Sequence, residues 1–414
     1  MIPVPHGGHL VNAQLAPERA ARRFDELRAL PKLWPEIDQL YDAEKIGTGA
    51  YSPLEGFMNR TTLEAVLTDS RLPSSLPWPM PIILTPPGGR NRQVIDALRP
   101  GDEVALLDGN NRFIAIMTFE ERFPLDRSLV ARATYGTTDP GHPNVADLER
   151  TGDTVLAGPI RLVSRPDTFA PGMEKTPAEM RALFAGRHWG NVVAYQTRNV
   201  PHRAHEHLQR LALEREEIDG LLIHPVVGRL KTGDYRPEIV IRAYEALIQN
   251  YFPTDRVVLS TLTISMRYAG PKAALFLAIV RKNFGCSHYI VGRDQAGVAR
   301  YYDPYDCHRI FDDFPIGIVP LRFREFFFCR RCDEMASAKT CPHSASAHAV
   351  TSQTRIRRAI AEGTDLPTEL LRPEIVAILS AGKGVLNDAE RVPLPTRGGD
   401  RGAVPDGEPP PTES

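Results

Sequence analysis

Past about Asp167 the apolar positions of this chain fall into short unbroken runs separated by amphipathic stretches. "NVVAYQ" reads as a strand, "HRAHEHLQRLALERE" as a helix and "GLLIHPVVG" as a strand. "RPEIVIRAYEALIQNYF" then reads as a helix, "RVVLSTLT" as a strand and "GPKAALFLAIVRKNFG" as a helix closed by Gly285, before the strand "CSHYIVG". Strand and helix alternate, and several strands are apolar throughout, which is the pattern of a parallel sheet covered on both faces. In such sheets ligands bind beyond the carboxyl ends of the strands. Four polar clusters fall at those ends: Gln196–His205, His224–Asp234, Ser265–Lys272 and Gly292–Ala296.

The flanking regions have a different rhythm. Residues 1–167 are rich in Pro and Gly, with short apolar runs in "PMPIILTPP", "DEVALLDGNNRFIAIMTF" and "DTVLAGPIRLV", so a mostly-β N-terminal domain is expected. "DGNN" at Asp108–Asn111 marks a hairpin turn. The alternating α/β domain is expected over 168–325, and a cysteine-rich subdomain with two helices over 326–390. Residues 391–414, rich in Pro and Gly, are expected to be a disordered tail.

Bulk properties narrow the function. At 414 residues the chain exceeds one ordinary core. Fifty basic against 51 acidic residues leave a net charge of −1, which argues against a general nucleic-acid binder. The N-terminal "MIPVPHGGHL" has no signal-peptide pattern. The longest apolar run, "AALFLAIV", is eight residues, far below a membrane span. Five cysteines, three of them within thirteen residues, suit a reduced cytoplasmic protein better than a disulfide framework.

The chemistry concentrates in "QTRNVPHRAHEHL". Pro201 suits the first turn of the following helix, which would put His202 and His205 on one face of that turn. A helix N-terminus offers unpaired N–H groups and the positive dipole end, a seat for phosphate. Gln196 and Arg198 lie just upstream, and a guanidinium fork suits a tetrahedral oxyanion. "HPVVGRLKTGD" adds His224, Lys231 and two glycines, Gly228 and Gly233, that permit close backbone approach. "VGRDQAG" places Arg293 and Asp294 directly after a strand, and "MRYAGPKAALF" adds Arg267 before a helix opening at Pro271. There is no Ser–His–Asp order, no paired carboxylates at glycosidase-like spacing and no GxxxxGK[ST] loop. Cations at one sheet edge favour holding two anions together, as in attack of one anion on the α-phosphate of a nucleoside triphosphate.

"CRRCDEMASAKTCPH" supplies Cys329, Cys332, Cys341 and His343 in a C-x2-C-x8-C-x-H pattern, with His348 as an alternative fourth ligand. Three thiolates and an imidazole match a closed, structural zinc site. Cys286 and Cys307 lie elsewhere and read as ordinary buried thiols.

The blocks "QTRNVPHRAHEHL", "HPVVGRLKTGD", "MRYAGPKAALF" and "RKNFGCSHYIVGRDQAG" closely resemble those of the ATP sulfurylase family. So do "PHGGHLVN", "GAYSPLEGFM" and "TSQTRIRR", and the likeness runs from about Pro5 to Gly382. The resemblance implies a PUA-like β domain, a Rossmann-like nucleotidylyltransferase domain and a small C-terminal subdomain. It implies conversion of ATP and sulfate to adenylyl sulfate and pyrophosphate with Mg²⁺ and suggests a homo-oligomer, while composition and charge point to a cytoplasmic protein that needs neither nucleic acid nor membrane. By family motif, Gln196 and Arg198 would bind sulfate with the Ala296 N–H, and Thr197, Arg198 and Asn199 would be catalytic together with His202 and His205. The nucleotide would lie against Gln196–Asn199, His202, His205, His224 and the run Gly292, Arg293, Asp294 and Gln295. The zinc cluster resembles one in bacterial members. The chain departs from the pattern at Val200, where Pro is usual, at Gln295, where His is common, and at Gln353, where Gly is common. With no P-loop and little chain after Gly382, no adenylyl-sulfate kinase domain is expected in this sequence. Two alternatives are adenylyl transfer to another anionic acceptor and a zinc-ribbon nucleic-acid module with a degenerate nucleotide domain.

Overall fold

The computed structural model describes residues 1–16, 18, 24–228, 234–298, 300–350, 353–362, 364, 366 and 369–381. The expected tail at 391–414, and Lys231 and Gly233, lie outside the described residues.

The first sheet takes its strands from the N-terminal part. They are β1 (Lys32–Leu33), β2 (Gly56–Phe57), β3 (Glu103–Leu107), β4 (Phe113–Thr118), β5 (Glu121–Pro124) and β6 (Thr154–Leu162), ordered β1-β3-β4-β6-β2 with β5 also on β6. The β3–β4 hairpin closes where "DGNN" predicts. Asn111 is left-handed (φ 60°), and Asp108 Oδ1 accepts the N–H groups of Asn110 and Arg112, each at 2.9 Å. "PMPIILTPP" forms no strand, only one bridge from Leu84 to Leu156, because its prolines lack ladder donors. Among the described residues six helices, from Phe24–Ala29 to Pro143–Leu148, surround this sheet, more helix than the Pro- and Gly-rich composition predicts.

The second sheet is parallel throughout. Its strands are β7 (Val192–Thr197), β8 (Gly220–Pro225), β9 (Val257–Leu259), β10 (His288–Val291) and β11 (Val319–Arg322), ordered β11-β10-β7-β8-β9. Every residue of β7, β8 and β10 is buried, which is why the stretches 192–195, 221–223 and 289–291 read as unbroken apolar runs. Helices Arg203–Leu213, Pro237–Tyr251 and Pro271–Asn283 follow β7, β8 and β9. Beyond β9 the pairing continues irregularly, through the Ser260 and Leu262 N–H groups to the Ile223 and Pro225 carbonyls, while the Ser260 and Thr263 side chains turn to Met173 and Glu174. β11 is an addition to the sequence reading. It is an edge strand with a proline and one buried residue, Leu321, so it carries almost no apolar signal. The chain winds one way through β7, β8 and β9, then returns to the other side of β7 with β10. The switch point is therefore the crevice between β7 and β10.

A third, antiparallel sheet of β12 (Phe327–Cys329), β13 (Glu334–Ala336) and β14 (His348–Val350) carries the cysteines, followed by helices Gln353–Glu362 and Pro373–Ser380.

The first two sheets share one continuous apolar core, in which Phe276, on the helix after β9, packs edge-on against Tyr51 and Trp78 of the N-terminal region (ring centroids 5.2 and 5.6 Å). Polar clasps join them as well. Arg267 Nη2 meets Asp42 at 2.5 Å, and Tyr51 Oη donates to the same carboxylate at 3.1 Å. Asn144 Nδ2 donates to the Met266 carbonyl at 3.2 Å, while its Oδ1 accepts the Tyr268 N–H at 2.7 Å. His142 Nε2 and Tyr302 Oη reach the Tyr268 carbonyl at 2.9 and 2.8 Å. Residues 266–268 are thus held on several sides.

Removing one partner of a buried ion pair leaves the other charge unsolvated. Asp42→Ala is expected to lower the unfolding free energy by about 3–5 kcal/mol, read from the urea denaturation midpoint; an unchanged midpoint contradicts the clasp.

Candidate active site at the switch point of the parallel sheet

Three contacts bring the four polar strand-end clusters together. Gln295 Nε2, after β10, donates to Gln196 Oε1, at the end of β7, at 2.8 Å. Arg198 Nη1 donates to Asp234 Oδ1, from the β8 cluster, at 3.1 Å. The same Arg198 atom donates to Tyr268 Oη at 3.1 Å, and the guanidinium lies 4.8 Å over the Tyr268 ring. Gln196, Arg198, Asp234, Tyr268 and Gln295 therefore converge although they span 100 residues of sequence.

The β7 exit is shaped locally. The Asn199 N–H donates to Thr197 Oγ1 at 3.0 Å, a side-chain turn that swings Arg198 toward the crevice. The C-terminal helix closes the opposite wall. Arg357 Nη2 donates to Asn199 Oδ1 at 2.6 Å and lies 3.6 Å from Asp234. Gln353 Nε2 donates to the Val200 carbonyl at 3.1 Å and its Oε1 accepts Tyr235 Oη at 3.0 Å. Two of the departures from the family pattern, Val200 and Gln353, thus touch each other. Gly228 is needed because a Cβ there would meet the Ile264 carbonyl oxygen at 1.9 Å.

The helix after β7 starts later than expected. It begins at Arg203, with His202 as its N-cap in extended conformation (φ −125°, ψ 170°), so Pro201 precedes the helix rather than opening its first turn. His202 Nδ1 accepts the His205 N–H at 3.2 Å, and the two imidazoles stack with centroids 3.6 Å apart. The proposed phosphate seat is therefore partly filled: His205 N–H caps, and Arg203 N–H donates to the Leu370 carbonyl at 2.8 Å. Burial lowers both imidazoles, His202 well below its usual range with His205 adding to the effect, and His205 to about 4. At neutral pH they are uncharged and serve as hydrogen-bonding groups rather than as cations.

Other expected site residues are placed as follows. Gly292, Asp294, Gln295 and Ala296 form the turn after β10, with Asp294 (φ 52°) and Ala296 (φ 58°) both left-handed. Such backbone costs of order 1–3 kcal/mol per residue and persists at functional turns. The Ala296 N–H donates to no described residue, so it is available to an anion. Arg293 turns to the surface, 3.5 Å from Glu325. His224 is a correction. It is fully buried, its Nε2 lies 3.2 Å from the Thr261 carbonyl and its ring packs on Phe284, so it belongs to the core beneath the rim. Arg267 is another, since it turns away from the rim to Asp42. Asp234, Tyr268 and Arg357 are additions that carried no motif role in the sequence; the one available signal was their position inside recognised blocks.

The cysteine cluster assembles apart from the crevice. Ligand atoms of Cys329, Cys332, Cys341 and His343 lie within 4.8 Å of one another, a set suited to hold a metal ion. His343 Nδ1 is 3.4, 3.2 and 3.7 Å from the three sulfurs in chain order. His348 approaches only Cys341, at 3.5 Å, and stacks on Phe327. Among the described residues no helix is long and apolar enough to cross a membrane.

Residues 171–381 match the family model described as ATP-sulfurylase, and residues 3–165 the one described as PUA-like domain. The chain is 44% identical to the sulfate adenylyltransferase of Symbiobacterium thermophilum, over 91% of this chain and 95% of that protein. It is 43% identical to the sulfate adenylyltransferase of Hyperthermus butylicus, over 92% of this chain and 96% of that protein. Among solved structures, the hexameric APS kinase from Thiobacillus denitrificans superposes with a TM-score of 0.73 at 29% identity, covering 92% of this chain and 68% of that one.

The imidazole environment has a pH signature. His205 titrates near 6.5 when unfolded and at about 4 when folded, so between those values the unfolded chain binds more protons. Stability is therefore expected to fall as pH drops from 6.5 toward 4, and His205→Gln to make that fall shallower. Urea midpoints measured across this window check it, and equal slopes for the two proteins contradict it.

Proposed function

The chain belongs to the ATP-sulfurylase family, and from that premise we propose how the rim of its parallel sheet works on its two anions. The reaction joins ATP and sulfate to give adenylyl sulfate and pyrophosphate. A sulfate oxygen attacks the α-phosphorus in line with the departing pyrophosphate.

In our reading the sulfate sits in the switch-point crevice. It accepts hydrogen bonds from the Arg198 guanidinium, the Gln196 amide and the Ala296 N–H. The observation that carries this is the convergence of Arg198, Gln196 and the strained Gly292–Ala296 turn between β7 and β10. Thr197 and Asn199 hold the loop that aims Arg198. His202 and His205 donate neutral hydrogen bonds to the ATP phosphates beside the helix end, and Gly292–Gln295 lie against the nucleotide.

The chemistry asks for charge cancellation and alignment rather than a nucleophile from the protein. Two like-charged reactants repel, and a site with surplus positive charge lowers that repulsion in the transition state. Mg²⁺ arrives on the ATP phosphates, since the buried carboxylate of the rim, Asp234, is taken up by Arg198 and Arg357. We take the chain to act as a cytoplasmic homo-oligomer, a habit supported by the hexameric description of the similar APS kinase. Its five free cysteines suit a reducing compartment.

We assign zinc to the cysteine cluster. A tetrahedral ion with Zn–S of about 2.3 Å sets sulfurs about 3.8 Å apart, and Cys332 and Cys341 lie 3.8 Å apart. Four protein ligands leave no open position, so the ion is structural and ties the C-terminal subdomain that supplies Arg357.

Arg198→Ala is expected to cut sulfate-dependent pyrophosphate release by about 100-fold or more in kcat/KM for sulfate; normal turnover would remove the sulfate site from this crevice. Metal analysis of the purified protein should find zinc, with Cys332→Ser losing the metal and lowering Tm. Wild-type protein free of bound metal at full stability contradicts the zinc assignment.

A further inference from the structure

Gln196 is only 7% exposed, and its carbonyl end is gripped from two sides. Gln295 Nε2 donates to Gln196 Oε1 at 2.8 Å and Tyr289 Oη donates to it at 3.3 Å. Gln295 is itself fixed at both ends. Its Oε1 accepts the Gly292 N–H at 3.4 Å, and its Nε2 donates a second time, to Tyr289 Oη at 3.0 Å. The backbone donor at one end leaves only the NH₂ group to face Gln196. An amide offers an acceptor at one end and donors at the other, and the surrounding network decides which end points where. With Oε1 held, Gln196 turns its NH₂ toward the crevice, and that NH₂ donates to no described residue.

We propose that Gln295 is a specificity-determining positioning residue: by holding the Gln196 carbonyl out of the anion pocket it selects a proton-free tetrahedral dianion over a protonated one. This rests on the assignment of Gln196 and Arg198 to sulfate. Sulfate at neutral pH carries no proton and can only accept hydrogen bonds. Hydrogen phosphate has the same shape and charge but keeps one O–H, which needs an acceptor. The pocket offers Arg198, the Ala296 N–H and the Gln196 NH₂, all donors. Of the two carboxylates near Arg198, Asp234 is engaged by Arg198 and Arg357, and Asp294 turns its Oδ1 back over Gly297. Phosphate therefore enters with an unsatisfied O–H facing a donor. If the Gln196 amide were reversed, its oxygen would accept that O–H and sulfate would lose a donor, so both effects would move selectivity the same way. Rejection by an unpaired polar group is stronger than rejection by size.

The test uses the full-length protein, with pyrophosphate release measured against sulfate and with phosphate as competitor at pH 8. Gln295→Glu replaces the donor by an acceptor, which draws the Gln196 NH₂ and turns Oε1 to the crevice. The ratio of the phosphate inhibition constant to the sulfate KM is expected to fall about tenfold or more. Taking the ratio cancels the general loss of anion affinity caused by the added charge. Gln295→Lys keeps a donor on Oε1 and is expected to preserve the ratio within about twofold. Selenate, a proton-free dianion, should keep its KM relative to sulfate in both variants. A folded Gln295→Glu protein with the wild-type phosphate ratio overturns the proposal. So does a Gln295→Lys protein that loses the ratio, or a selenate shift as large as that of phosphate. Arg198→Ala with an unchanged sulfate KM overturns the underlying site assignment instead.

Discussion

Asp234 is 2% exposed at its side chain and sits between two guanidiniums, Arg198 at 3.1 Å and Arg357 at 3.6 Å. A buried carboxylate needs partners, and two arginines flanking it gain a fixed position in return. Two positive charges against one negative leave a surplus of one within this group. The arrangement therefore holds Arg198 rigid without neutralising it, which is what a site for a dianion beside a triphosphate requires. Arg198 comes from the β7 exit, Asp234 from beyond β8 and Arg357 from the C-terminal helix. Without the shared carboxylate those cations would repel one another apart.

The N-terminal region takes part in the same constraint. Tyr268, which accepts a hydrogen bond from Arg198, is held by Asn144 and His142, while its neighbour Arg267 is anchored on Asp42. The PUA-like region thus buttresses the crevice wall that Tyr268 forms rather than being an appended module. A continuous core through Tyr51, Trp78 and Phe276 keeps that wall in register with the parallel sheet.

The parallel sheet was legible because strands buried on both faces carry continuous apolar stretches, and β7, β8 and β10 are buried throughout with their polar residues at or near the ends. The edge strand β11 was not, since one buried residue leaves no pattern. The gathering of polar clusters at strand ends was legible from topology, and so was the cysteine set from its spacing. Pair identities were not. Nothing local says that Arg198 reaches Asp234 while Arg267 reaches Asp42, because those choices depend on three-dimensional packing. His224 stands one register position from the rim, opposite Gln196 on β7, yet its ring turns into the core. The sequence put the two histidines at a phosphate seat without their charge state, and burial is what holds them neutral.

The most direct test is a crystal structure of the protein with adenylyl sulfate bound. It should place the sulfuryl oxygens within hydrogen-bond distance of Arg198, the Gln196 amide and the Ala296 N–H, with Asp234 still bridging Arg198 and Arg357. A sulfuryl group bound away from the β7–β10 crevice, or an Arg198 swung out to solvent, would contradict the account.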